Sequence, residues 1–110
     1  MAKKVEIYCG NPIHGDSLIP MTLHAGAPGN DDFFSCPEYY GEDKCMNRFS
    51  ITDYEKILNK LSTLAYDSEA EVTDLTGTGF MLGKIEVFVI EHDIYNDLFK
   101  VTVMNSTKKR

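Results

Sequence analysis

Five side chains in the first half of the chain have the chemistry to hold a soft metal ion: Cys9, His14, His24, Cys36 and Cys45. Zinc takes four such ligands at tetrahedral corners, and a structural site is closed by cysteine and histidine alone. Cys9-Gly-Asn-Pro-Ile-His14 and Cys36-Pro-Glu-Tyr-Tyr-Gly-Glu-Asp-Lys-Cys45 are two loops able to wrap an ion and aim backbone amides at its thiolates. His14 is preferred to His24 as the fourth ligand because its spacing closes a loop with Cys9. A lone histidine in an alternating strand, as at His24, is more often a surface residue, and the choice between the two stays open here. Three cysteines cannot all pair as disulfides, and nothing else points to an oxidising compartment. One structural Zn2+ held by Cys9, His14, Cys36 and Cys45 is therefore expected.

The elements that must position these ligands divide near Ser50. Before it, Val5 to Tyr8 alternates apolar and polar residues and predicts a strand running into Cys9. Leu18 to His24 predicts a second strand, edged or bulged at Pro20. Phe33-Phe34-Ser35 predicts a third strand running into Cys36. After Ser50, Thr52-Asp53-Tyr54-Glu55 reads as a capping box. Apolar residues at Tyr54, Ile57, Leu58, Leu61, Leu64 and Ala65 then form one helical stripe ending near Tyr66. Glu71 to Thr76 predicts a strand, Gly77-Thr78-Gly79 a turn, and Met81 to Glu91 a long strand with Ile85, Val87 and Val89 on one face. Leu98 to Met104 returns with Phe99, Val101 and Val103 on one face. The expected class is α+β: an N-terminal zinc ribbon of three short antiparallel strands, then one helix and a C-terminal antiparallel β-sheet. Residues 1–50 are the ribbon module and 51–110 the second unit, with the two able to share a core.

At 110 residues the chain buries a modest fraction of its surface, so a metal staple would help it fold. Its net charge of −6 disfavours a general grip on nucleic-acid phosphates, which needs a basic face. The longest apolar runs fall far short of the ~20 residues that cross a bilayer. Met1 to Glu6 has two lysines with no apolar stretch behind them, so a cytoplasmic protein without membrane contact is expected.

Cys9-Gly10-Asn11-Pro12, Gly29 through Phe33-Phe34-Ser35-Cys36-Pro37, and Cys45 followed by Phe49 form a pattern over about 45 residues. This resembles the zinc ribbons at the C-termini of bacterial type I DNA topoisomerases and the related GRF-type zinc fingers. Asn30-Asp31-Asp32 stands where that family commonly carries a basic residue in its hairpin turn. The resemblance implies a ribbon fold and contact with single-stranded DNA or RNA. Physically, bases would stack on Phe34, Tyr39 and Tyr40, with Phe33 and Phe49 as further aromatics, while Lys44 and Arg48 would meet phosphates.

The competing expectation is a protein–protein interaction adaptor or a homodimerising regulatory protein whose zinc is purely structural. An acidic surface and an edge strand after Phe80 suit it. No enzyme is expected. Gly77 to Lys84 ends in Gly-Lys, but its spacing departs from the Walker pattern and Ile85 stands in place of its Ser/Thr. His92-Asp93 has no nucleophile paired with it. A catalytic zinc would need an open position and a nearby base, and neither is evident.

Overall fold

Which sheet a strand joins depends on where its apolar face finds cover. A computed structural model describes residues 4–40, 45–66 and 72–105. Among them lie one α-helix and two sheets, in an α+β arrangement. Strand β1 (Lys4–Cys9) buries Ile7 and Cys9. It does not stay with the ribbon strands. It runs parallel to β7 (Leu98–Asn105), in register from Lys4↔Leu98 to Cys9↔Val103. There its apolar residues meet the buried row Phe99, Val101 and Val103, an apolar wall that the short ribbon strands do not offer. The larger sheet is thus mixed, ordered β1-β7-β6-β5, where an antiparallel one was expected.

The ribbon sheet is β2 (Thr22–His24), β3 (Phe33–Ser35) and β4 (Arg48–Ser50), antiparallel throughout. Strand β4 takes the place predicted for β1. Strand β2 is shorter than the predicted Leu18–His24, because proline has no N–H to give a ladder. Pro20 makes only an isolated bridge with Tyr8. The segment around it instead covers the outer edge of β1, through Cys9 N–H to Ile19 O (2.8 Å) and Met21 N–H to Ile7 O (2.9 Å).

Helix α1 (Ile51–Tyr66) buries Ile57, Leu61 and Ala65, spaced four apart on the predicted stripe. Its cap lies two residues before the predicted one. Ser50 Oγ accepts from Asp53 N–H at 3.2 Å, while the Thr52 hydroxyl donates to the Asp31 carboxylate. The helix follows directly on β4, so the last strand residue is the one left to cap it.

The predicted strand Met81–Glu91 is a hairpin of β5 (Gly79–Leu82) and β6 (Ile85–Asp93). Leu82 pairs with Ile85, and Gly83 takes φ +63°, as a two-residue turn with glycine first requires. A bulge between Val89 and Glu91 shifts the alternation of β6, so Val89 and His92 face the core together. Residues 72–76 of the predicted strand 71–76 form no strand. They are tied to α1 and to β6 by Thr73 N–H to Ala65 O, Leu75 N–H to His92 Nδ1 and His92 N–H to Thr76 Oγ1. Residue 71 is outside the described residues.

One cluster of buried side chains runs from Cys36, Cys45 and Phe49 through Ile57 and Leu61 to Val87, Val89, Phe99 and Val101. Among the described residues no helix is long and apolar enough to cross a membrane.

Candidate metal centre

Each knuckle is set by local backbone chemistry. Strand β1 delivers Cys9, and Gly10 then passes so close to β7 that a Cβ there would stand 3.2 Å from the carbonyl of Val103. The Gly10 N–H donates to that carbonyl at 2.9 Å. Asn11 caps the short 3-10 helix Pro12–His14, its Oδ1 accepting from Ile13 N–H, and Pro12 supplies a preset φ at the first helical position. This turn swings His14 back toward Cys9. Cys36 directly follows β3 and donates its N–H to Asn47 O at 3.1 Å. Cys45 donates its N–H to Glu38 O.

The three sulfurs and one His14 ring nitrogen all lie within 4.8 Å of one another. Cys9 Sγ and Cys45 Sγ are 3.6 Å apart, and Cys36 Sγ is 3.3 Å from His14 Nε2. A zinc tetrahedron with ordinary bond lengths has edges of about 3.8 Å between sulfurs and about 3.5 Å between sulfur and nitrogen. A disulfide needs sulfurs at about 2.05 Å, so these are free thiols in a four-ligand cradle. All three cysteines are buried. These residues can hold a metal ion. His24 is not part of the group: it is exposed on β2 with its ring stacked on Phe33 at 5.5 Å.

The electrostatics point the same way. Burial pushes the Cys36 thiol up to about 12, against a lowering contribution from the Glu38 N–H and with further raising by Cys9 and Cys45. Burial also raises Cys9, while the Asn47 side chain and the Asn11 backbone pull it down. Two thiols held high in this way, Cys9 and Cys36, do not ionise together without a cation beside them. A divalent ion held by these residues would supply that charge and take the place of the protons.

Around the sulfurs lies a layer that ligand counting does not reveal. Asn47, fully buried, donates to Cys9 Sγ at 3.1 Å, and Asn11 donates to Cys45 Sγ at 3.2 Å. The sequence does carry a signal for them, a repeated Cys-x-Asn at Cys9-Gly10-Asn11 and Cys45-Met46-Asn47.

The residues expected to meet nucleic acid are dispersed. Phe34 is half-buried, stacked on Phe49 at 5.2 Å and against Tyr54 at 4.9 Å, and packed on the core. Arg48 is exposed on β4, with its guanidinium 5.9 Å from the Phe33 ring centre. Tyr39 and Tyr40 close the short helix Pro37–Tyr40, but their side chains fall outside the described residues, as does all of Lys44. The Gly77–Lys84 stretch is a turn, β5 and a hairpin turn. His92 faces the core against Phe99, and the Asp93 carboxylate accepts from Tyr95 and Asn96 of its own turn. Comparison with family models, with curated proteins and with solved structures finds no match for this chain.

Proposed function

We propose that this protein is a non-catalytic binding module whose N-terminal half is held by one structural zinc ion. The carrying observation is the buried Cys9, His14, Cys36 and Cys45 group, its ligand atoms all within 4.8 Å and its thiols met by amide donors. Three thiolates and an imidazole suit Zn2+, and four protein ligands close the site to substrate. The test is metal content of the untagged protein purified under reducing conditions. About one zinc per chain, lost in Cys36→Ser and weakened in His14→Ala, is expected. Protein kept reduced and carrying no stoichiometric metal overturns the reading.

For the partner, the surface favours protein. Strand β5 is an edge of the larger sheet and carries no charge, while its own Met81 and Phe88 of the adjacent β6 are about half exposed. An uncharged edge accepts an added strand through its backbone groups, which fits the adaptor reading. Single-stranded nucleic acid is the second reading, and the exposed Arg48 beside the half-buried Phe33 ring is the observation that supports it. Asp31 and Asp53 line the groove beside Arg48 and would repel phosphate, and Phe34 is engaged in its own stack. Titration with a fluorescent single-stranded oligonucleotide at low and high salt separates the two. Salt-sensitive binding lost in Arg48→Ala supports nucleic acid, and no binding at low salt leaves the protein partner.

A further inference from the structure

The two Cys-x-Asn units are wired to each other crosswise. Asn11 follows Cys9 by two residues and donates to Cys45 Sγ. Asn47 follows Cys45 by two and donates to Cys9 Sγ. Each knuckle thus holds the sulfur of the opposite one. The two asparagines differ in what else they touch. Asn11 spends its carbonyl on Ile13 N–H, inside its own turn. Asn47 reaches out of the metal site to β7, donating to Val103 O at 2.7 Å and accepting from Asn105 N–H at 2.9 Å.

An asparagine side chain has two N–H donors and one carbonyl. Both Asn47 donors are placed, one on a sulfur and one on a carbonyl, and its oxygen receives an amide. Rotating the amide by half a turn would set oxygen against both the sulfur and the Val103 carbonyl, so only one orientation satisfies the network. The Asn47 backbone carbonyl also receives the Cys36 N–H. One fully buried residue therefore joins two cysteines of the group to the Val103–Asn105 end of β7.

We propose that Asn47 is a positioning residue for the metal, and a side-chain link, beside the Gly10 N–H to Val103 O bond, through which metal occupancy sets the order of the Val103–Asn105 end of β7. Asn11 positions Cys45 in the same way but stops at its own knuckle. This rests on the structural-metal reading. A ligand sulfur that loses its outer hydrogen bond typically loses 10–100-fold in metal affinity.

The experiment uses the full chain loaded with zinc or cobalt(II), with affinity read by chelator competition and amide exchange read by NMR. Asn47→Ala should bind metal about 10–100-fold more weakly. It should also shift the thiolate-to-cobalt charge-transfer band, which a purely packing role would leave in place. Asn11→Ala should weaken binding by a comparable factor and leave exchange along β7 unchanged. In the wild-type protein, removing the metal should speed exchange of the Asn105 amide, a readout that stands even if Asn47→Ala does not fold. Unchanged affinity and an unshifted band in Asn47→Ala would overturn the proposal, as would a wild-type Asn105 amide indifferent to metal. A wild-type protein that binds neither ion overturns the structural-metal reading and this proposal with it.

Discussion

Strands β2, β3 and β4 bury only Ser35 and Phe49 among their nine residues, and all of β2 is exposed. Strands β6 and β7 bury about half of theirs, including Val87, Val89, Phe99, Val101 and Val103. The same chain therefore builds one sheet on apolar burial and another that burial alone does not hold. Backbone and side-chain ordering cost about 1.5 kcal/mol per residue, and a sheet hiding two side chains recovers little of that. The four-ligand cradle sits where the deficit is. It ties the end of β1 to the residue after β3 and to the approach to β4.

The largest expected effect separates the two sheets by their source of stability. Structural zinc in small finger peptides contributes on the order of 10 kcal/mol. Chelation, or Cys36→Ser, should therefore abolish slow amide exchange across β2–β4 while the β6–β7 turn end retains protection. Simultaneous loss of both sheets at equal rates would show that they are not energetically distinct. Acid should strip the ion before it unfolds the larger sheet, because protons compete for thiols that burial already holds high.

Next in size, Phe99→Ala removes a fully buried ring that stacks on His92 at 4.1 Å. A loss of about 3–5 kcal/mol is expected in chemical denaturation, with metal present throughout. A cost under ~1 kcal/mol would mean the larger sheet does not depend on this row.

A smaller effect sits at the same end of the molecule. Burial lowers the His92 pKa from its ordinary 6.5, partly offset by Asp74, Asp97 and Asp93. Its Nδ1 accepts from Leu75 N–H, so a proton there breaks that bond. The folded protein binds this proton less readily than the unfolded chain does. Stability is then full above about pH 6.5 and falls as the pH drops through the lowered value. His92→Gln, measured with zinc in excess, should flatten that slope between pH 7 and 5. An unchanged slope would assign it to other groups.

Smallest is the helix cap. Ser50→Ala should cost about 1 kcal/mol and Thr52→Ala less, reversing the order a Thr52–Glu55 capping box would give.

Much of this architecture can be read from the residues. The Cys/His group stands out because thiols and an imidazole at loop spacing read together as one possible metal-binding set. The helix stands out because Ile57, Leu61 and Ala65 recur at its period. Turns and caps are less legible. Gly83-Lys84 falls inside the predicted strand because its apolar flanks alternate smoothly, yet glycine's positive φ makes it a turn. Thr52-x-x-Glu55 fits the capping pattern, but β4 runs directly into the helix and gives the cap to Ser50. Asn11 and Asn47 read as ordinary turn residues of the knuckles despite their shared Cys-x-Asn spacing, and their place in the fold shows them donating to sulfur.

The sequence by itself determined the three thiols of the cluster, the helix and its buried stripe, and the inward rows of β6 and β7, since each follows from side-chain chemistry or from periodicity within one segment. Tertiary structure alone decided that β1 leaves the ribbon to lie parallel to β7, that His14 rather than His24 faces the sulfurs, and that Asn47 reaches from the Cys9 sulfur to Val103 and Asn105. Those outcomes depend on contacts between residues dozens of positions apart. Local propensity carries no record of them, because their free energy exists only once the distant partners have met.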